Sequence, residues 1–88
     1  MRRTVKRVID GDTFEVTTKI GTFVKVRIAN YNAPELNQKG GIKAKNDLKK
    51  LIEGKEVTLV IKGTSYDRVV ADVRINRKKV SNLLDKMK

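Results

Sequence analysis

The chain contains no cysteine and no histidine among its 88 residues. Without cysteine, neither a disulfide framework nor a thiolate metal site can form. Without histidine, the chain cannot assemble a Ser-His-Asp triad, an imidazole zinc site or a histidine general base. Any acid–base chemistry must therefore depend on Asp, Glu, Tyr, Lys or a metal-bound water molecule.

The sequence also lacks a long apolar run. Residues 1–6 are basic, but no apolar segment of the kind found in signal peptides or membrane spans follows them. We therefore expect a cytoplasmic, monomeric protein with no membrane partner. A secreted mature form that carries an added initiator methionine would show the same pattern.

Acidic residues are few, because 10 Asp and Glu stand against 21 Lys and Arg, which gives a net charge of +11. An excess of this size favours a polyanionic partner, DNA or RNA, through counterion release and electrostatic steering. A solvated, solubilising surface is the alternative explanation. The length predicts one small domain, residues 1–88, that buries about 60% of the surface its unfolded chain exposes.

Alternation of apolar and polar residues predicts five main strands, and a segment with helical spacing lies between the third and the fourth. The predicted strands are residues 4–9, 13–19, 23–28, 55–62 and 68–75, with a return strand at 78–80. The predicted helix is residues 42–53, with Gly54 as its C-cap, and Ser81 is expected to N-cap a last helix that ends at Lys86. This order of elements predicts a mainly β, α+β fold, a five-stranded Greek-key barrel of the OB type with one or two packed helices.

The same alternation predicts which residues form the core. In the third strand Val26 and Ile28 share an aliphatic face, so Arg27 must point the other way, toward a groove open to solvent. The residues expected in or near the core are Val24, Val26, Ile28, Leu48, Leu51, Ile52, Val57, Leu59, Ile61, Val70 and Val73.

Two carboxylates and two arginines form a candidate site for phosphate chemistry. Asp12 follows a turn and Glu35 lies in a loop, while Arg27 is on the third strand and Arg68 opens the fifth. Two carboxylates can hold a divalent cation and activate a water molecule, and two guanidiniums can clamp a phosphate and stabilise its developing charge. Each could instead be an ordinary turn or surface residue, and Asp10 is the better candidate for bonding the turn's own backbone.

Segments around these residues resemble the staphylococcal nuclease-like (thermonuclease) family. Residues 5–13, VKRVIDGDT, are similar to its opening motif, and residues 26–35, VRIANYNAPE, are similar to its second motif. Tyr66-Asp67-Arg68 resembles the family's Tyr-Gly-Arg. The resemblance runs over residues 5–85 and implies an OB-type barrel that hydrolyses phosphodiester bonds with the help of calcium.

The resemblance also implies roles for single residues. Asp12 matches a calcium-ligand aspartate, and Glu35 matches the general base or the residue that orients the attacking water. Arg27 and Arg68 match the arginines that bind the scissile phosphate. Asn32 stands where the family has its second metal-ligand aspartate, so a carbonyl ligand remains but a negative charge is lost, and we expect calcium to bind weakly.

Two further departures from the family pattern affect the prediction. Asp67 replaces the family's glycine before the second arginine, where its carboxylate could pair with Arg68 and disable it, or partly replace the lost metal charge. Longer family members often continue into a further C-terminal helix, which this chain, ending at Lys88, is expected to lack.

Further nucleic-acid contacts are expected from Tyr66 and from a basic cluster. Tyr66 could stack on a base or bond a phosphate. Arg74, Arg77, Lys78 and Lys79 surround the predicted hairpin, where they form either a sequence-independent phosphate surface or a solvated turn.

The residues and the resemblance together predict a calcium-assisted nuclease that hydrolyses DNA or RNA with low sequence specificity. The alternative is a non-catalytic nucleic-acid-binding OB module with a degenerate nuclease site. Asn32 and Asp67 favour the alternative, whereas the joint presence of the four charged site residues argues against it.

Overall fold

A computed structural model describes residues 1–87 of the chain, in which six strands and two helices follow one another. Their bounds are β1 (Arg2–Asp10), β2 (Thr13–Ile20), β3 (Phe23–Ile28), α1 (Gly41–Ile52), β4 (Glu56–Ser65), β5 (Arg68–Ile75), β6 (Lys78–Lys79) and α2 (Val80–Lys86). Neither of these helices is long and apolar enough to cross a lipid bilayer.

The strands form one sheet in the order β3-β2-β1-β4-β5-β6, and a further pairing of β3 with β5 closes it. The β3–β5 pairing is parallel, whereas all the other neighbours are antiparallel. Closure pairs the edge strand β3 with the first half of β5, which the short strand β6 does not cover. The prediction of a mainly β, five-stranded OB-type barrel with two helices is therefore confirmed.

The barrel interior confirms most of the predicted core. The predicted residues that are buried are Val26, Ile28, Leu48, Ile52, Val57, Leu59 and Val73. Leu51 packs against this core from α1, while Val24 is only half-buried. Because Val26 is 0% exposed, the register assigned to β3 is correct.

Three of the core predictions are wrong, because Val24, Val70 and Ile61 lie neither in the core nor packed against it. Val70 is half-buried, because Val69, Ala71 and Val73 fill the interior of β5 and successive residues of a strand face opposite sides. Ile61 is 40% exposed. The β1–β4 ladder ends at Thr58 and the β4–β5 register shifts just after Ile61, so this part of β4 leaves the barrel wall.

The helix ends differ slightly from prediction. The C-cap of α1 is Glu53, and Gly54 follows it with a φ of 78°, the left-handed conformation that glycine commonly adopts after a helix. The prediction that Ser81 caps the last helix is wrong. Helix α2 begins at Val80, its N-cap is Lys79, and no side chain makes the cap hydrogen bond, because the chain enters the helix directly from β6.

Candidate active site

A cavity of about 280 Å³ opens at the rim of the barrel where β1 and β3 end and β5 begins. Its lining residues are Asp10, Asp12, Arg27, Asn32, Ala33, Pro34, Glu35 and Arg68. The cavity therefore brings together every residue that the sequence assigned to catalysis or to the metal, and it adds Asp10. The roles of these residues stay predictions.

Strand pairing explains why residues far apart in sequence meet at this rim. Thr13 pairs with Arg27 across β2 and β3, and Lys25 pairs with Arg68 across the parallel β3–β5 ladder. The Ile28 N–H also donates to the carbonyl of Asp12 at 2.9 Å. The closure of the barrel thus carries both arginines and the β1–β2 turn to one place.

Asp10 both stabilises the turn between β1 and β2 and lines the cavity. Its Oδ1 accepts a hydrogen bond from the Asp12 N–H at 3.1 Å, as predicted for a turn aspartate. It also lines the cavity, and burial raises the pKa of its carboxyl, with a further increase from the adjacent Asp12. The position of Asp10 in the cavity was not predicted from the sequence. The available signal was that both aspartates emerge from one turn around Gly11.

Asp12 connects that turn to the β3–α1 loop. Its side chain is 14% exposed. The Thr13 hydroxyl donates to Oδ1 at 3.0 Å, and the Ala33 N–H donates to Oδ2 at 3.2 Å. Nη2 of Arg27 lies 3.5 Å from the same Oδ2, a long contact for a hydrogen bond. Asp12 is consequently fixed from three elements rather than free in solution.

Arg27 occupies the space between the predicted metal ligands. Its Nη2 donates to Oδ1 of Asn32 at 2.5 Å as well as approaching Asp12, and its Nη1 donates to the Ile28 carbonyl at 3.1 Å. Oxygen atoms of Asp12 and Asn32 therefore both approach the same guanidinium nitrogen. A cation that used both oxygens would compete with Arg27 for them.

Asp67 forms a charged bridge beside the cavity. Its Oδ2 accepts from Lys25 Nζ at 2.9 Å, and its Oδ1 accepts from Arg68 Nε at 3.0 Å. These two contacts lower the pKa of Asp67 from 3.8 to about 2. Because both carboxylate oxygens are engaged by cations and Asp67 does not line the cavity, the idea that it replaces the lost metal charge has no support.

The pairing of Asp67 with Arg68 was one of the predicted possibilities, but its geometry does not block the arginine. Only Nε is used, whereas Nη1 reaches the buried Thr13 hydroxyl at 3.4 Å. The guanidinium is thus held at Nε and Nη1, and Arg68 lines the cavity. Sequence reasoning missed Thr13 and Lys25, since their contacts depend on strand pairing.

Glu35 is held by its backbone rather than by its side chain. Its N–H donates to Gln38 Oε1, and the Gln38 N–H donates back to its carbonyl, both at 2.9 Å. Tyr31, buried to 8% exposure, anchors the same loop in the core. Within residues 1–87 the Glu35 carboxylate has no hydrogen bond or ion pair, and Glu35 lines the cavity.

Close packing of small residues keeps the loop, the turn and α1 together. A Cβ placed on Gly11 would lie 2.5 Å from Cβ of Ala33 and 2.7 Å from Cβ of Ala44. No larger residue fits at Gly11 unless its neighbours move. The position of the β3–α1 loop, and with it Asn32 and Glu35, therefore depends on the absence of a side chain at Gly11.

The donor atoms at the cavity suit a hard cation only in part. Asp10, Asp12 and Asn32 offer oxygen atoms, which are the ligands that calcium prefers, but calcium takes about 6–8 of them. Among residues 1–87, no three acidic side chains are grouped so that they could hold a metal. The residues fit a weak calcium site. Substrate and water would have to supply the remaining ligands of the ion.

The predicted nucleic-acid contacts lie outside this cavity. Tyr66 is 99% exposed at the β4–β5 hairpin, two residues before Arg68, and has a positive φ of 53°. Arg74, Arg77, Lys78 and Lys79 line a second concavity. The structure therefore separates the expected phosphate contacts into two regions.

Comparison with known proteins identifies relatives of the chain. Residues 25–87 match the family model described as staphylococcal nuclease homologue, a range that contains Arg27, Asn32, Glu35 and Arg68. An "Uncharacterized endonuclease" of Haemophilus influenzae is 37% identical over 78 residues, which cover 88% of this chain and 44% of the relative. Proteins with the same description from Escherichia coli and from Escherichia coli O157:H7 are each 37% identical over 70 residues, 78% of this chain and 45% of theirs. The chain thus spans less than half the length of these relatives.

Proposed function

Because the chain belongs to the family of staphylococcal nuclease homologues, we propose that it is a nuclease domain that hydrolyses phosphodiester bonds of DNA or RNA. One observation carries the proposal: two arginines, two turn aspartates and an unpartnered glutamate line a single cavity of about 280 Å³. This is the set of groups needed to bind a phosphate, stabilise its developing charge and deprotonate a water molecule.

The two arginines bind the scissile phosphate in this proposal. Guanidiniums make bidentate contacts with phosphate oxygens and stabilise the negative charge that increases in the transition state. Arg68 is already oriented by Asp67 at Nε and by the Thr13 hydroxyl at Nη1, and its Nη2 makes no hydrogen bond within residues 1–87. Arg27 must exchange its contacts with Asn32 and Asp12 for contacts with the phosphate, so substrate binding rearranges this arginine.

Glu35 acts as the general base. A base must reach the attacking water, and the exposed carboxylate at the cavity wall is free of protein partners in residues 1–87. The backbone hydrogen bonds with Gln38 limit the movement of Glu35 without occupying its carboxylate.

Calcium is the proposed cofactor, held by Asp12 and Asn32 with Asp10 beside them. When bound, the ion would polarise the phosphate and lower the pKa of a bound water molecule. The amide of Asn32 carries no charge, and calcium affinity increases with the number of charged ligands. We therefore propose a weak site that needs a high calcium concentration.

The remaining contacts of the substrate explain the proposed low sequence specificity. Contacts to phosphates fix the position of a nucleic acid without reading its bases. Tyr66 is proposed to stack on a base next to the cleaved bond, a contact that every base can make. We propose a monomeric enzyme in the cytoplasm, and both statements stay predictions.

A binding module without catalysis is the second candidate, and one observation favours it. The oxygens of Asp12 and Asn32 are engaged by Arg27, and residues 1–87 contain no group of three acids that could hold a metal. In this candidate the barrel keeps its charge and binds nucleic acid, but no water is activated.

Digestion of plasmid DNA and of RNA distinguishes the two candidates. The nuclease proposal predicts products at millimolar calcium, no products with a calcium chelator, and a strong loss of rate in Glu35→Gln. No cleavage by the wild type under any calcium concentration, together with retained binding in a gel-shift assay, would support the binding module instead.

A further inference from the structure

A second concavity, of about 440 Å³, lies where β5, β6 and α2 meet. Its described lining residues are Arg74, Arg77, Lys78, Lys79, Asn82, Leu83 and Lys86. Five of these seven residues are cations, and none is an acid. A concave surface with one sign of charge concentrates counter-ions at its surface.

Most of these cations are not neutralised by the protein. In the described part of the chain, Arg77, Lys78, Lys79 and Lys86 take part in no ion pair, whereas Arg74 Nε lies 3.4 Å from Oδ2 of Asp72. Arg77, Lys78 and Lys79 are all exposed. The concavity therefore presents its positive charge to the solvent.

The backbone of the β5–β6 turn points to a function for Arg77. Asn76 and Arg77 form this two-residue turn and both have positive φ, 51° and 66°. Turns of this kind favour asparagine at the first position and glycine at the second. Asn76 follows the preference, but the second position holds a cation that lines the concavity. A strained residue in an exposed turn, where glycine would relieve the strain, suggests that the side chain is needed.

Strand β5 connects this concavity with the candidate active site. Arg68 at its start lines the active-site cavity, and Arg74 near its end lines the second concavity. Because Val69, Ala71 and Val73 face the core, both arginines lie on the outer face of the strand. Arg74 lies six positions after Arg68, which corresponds to about 20 Å along the strand at ~3.3 Å per residue.

We propose that the second concavity is a remote substrate site, which binds the phosphates of a single-stranded nucleic acid about 20 Å from the bond at the active-site cavity. The inference rests on the proposed function in taking nucleic acid as the ligand. The inference adds that affinity depends on the length of the nucleic acid, since only a nucleic acid long enough to extend along β5 can occupy both the cavity and the second concavity.

Fluorescence anisotropy with a labelled 20-nucleotide oligothymidylate and with a labelled thymidine dinucleotide tests this proposal. Under the proposed function a calcium chelator prevents cleavage, so affinity can be measured on intact strands whether or not the protein is a nuclease. The test variant combines Arg77→Gly, Lys78→Gln and Lys79→Gln. If each cation neutralises one phosphate, the log–log salt slope for the long strand should become shallower by about 2. Between 50 mM and 200 mM salt the wild type should then lose about 16-fold more affinity than the variant.

A charge-matched control distinguishes binding at a defined site from general electrostatic attraction to the protein. Lys50, Lys55 and Lys62 are exposed and form no ion pair in residues 1–87, and they line neither cavity. Their triple change to glutamine removes the same charge and should leave the salt slope close to that of the wild type. Equal losses in both triple variants, or an unchanged slope in the test variant, would overturn the proposal.

Two further readouts exclude trivial explanations. Arg77→Gly alone should keep or raise the melting temperature, because glycine adopts the turn conformation without strain. A loss of long-strand affinity in this single variant could then not be explained by unfolding. Dinucleotide binding should be unchanged in the test variant, and a parallel loss there would also contradict a remote site. If the long-strand slope behaves as proposed but the wild type cleaves nothing with calcium, only the nuclease proposal fails.

Discussion

Gly11→Ala is the substitution whose consequence follows most directly from the packing of the site. The new Cβ would lie 2.5 Å from Cβ of Ala33 and 2.7 Å from Cβ of Ala44, closer than real Cβ contacts. Gly11 does not have a positive φ, so the backbone itself accepts alanine. The cost therefore arises from overpacking, about 1–3 kcal/mol of unfolding free energy. For a domain of this size, each kcal/mol corresponds to roughly 4–8 °C in melting temperature.

Gly63→Ala is the matched control. Gly63 also lacks a positive φ, and a Cβ there would meet no atom within 4 Å. Alanine at such a position stabilises by about 0.4–1 kcal/mol, because it restricts the unfolded chain. Urea denaturation followed by circular dichroism should therefore separate the two variants by at least about 1 kcal/mol, with Gly11→Ala the less stable. If both variants denature at the same urea concentration, the three-way contact at Gly11 is not as described.

Three further predictions concern the core, the metal and the charged bridge. Val26→Ala should lower the free energy of unfolding by roughly 1–3 kcal/mol, because Val26 is 0% exposed. A shift of the urea midpoint as small as that caused by a substitution on the protein surface would contradict this. Asn32→Asp adds a carboxylate with little change in size, so half-maximal cleavage should need less calcium, and an unchanged or higher requirement would argue against Asn32 as a ligand. Asp67→Asn should reduce kcat/KM by releasing Arg68, whereas a gain would show that Asp67 sequesters the arginine. The pKa of Asp67 is lowered from 3.8 to about 2, so the bridge stabilises the fold fully above about pH 4 and loses this effect as the carboxylate is protonated. The difference in unfolding free energy between wild type and Asp67→Asn should therefore shrink as the pH falls toward 2.

The barrel could be predicted because its strands alternate clearly between apolar and polar residues. This alternation also placed Arg27 opposite the core, which the burial of Val26 and Ile28 bears out. The errors have local causes. Val70 has the same parity as the charged residues Asp72 and Arg74, so strict alternation along β5 would have placed it outside the core. Ile61 has the parity of the core residues of β4, but it is exposed because the β1–β4 ladder ends at Thr58, which alternation does not reveal.

Residues of the candidate site were predictable only where motifs carried them. The motifs placed Asp12, Arg27 and Arg68 at positions that the structure brings to one cavity. Thr13 and Lys25 were missed, because they meet Arg68 or its partner only after β3 and β5 pair. Contacts that depend on barrel closure, rather than on neighbours in sequence, require the three-dimensional structure.

The proposed hydrolysis of phosphodiester bonds depends on the activation of water by Glu35 at the active-site cavity. Single-turnover cleavage of a labelled single-stranded substrate at saturating calcium, measured for wild type and Glu35→Gln together with the Kd for the strand, tests it most directly. We expect calcium-dependent cleavage by the wild type, a rate about 10²–10⁴-fold lower in Glu35→Gln, and nearly equal Kd values for the two proteins. Equal cleavage rates, or no cleavage by a wild type that still binds the strand, would contradict it.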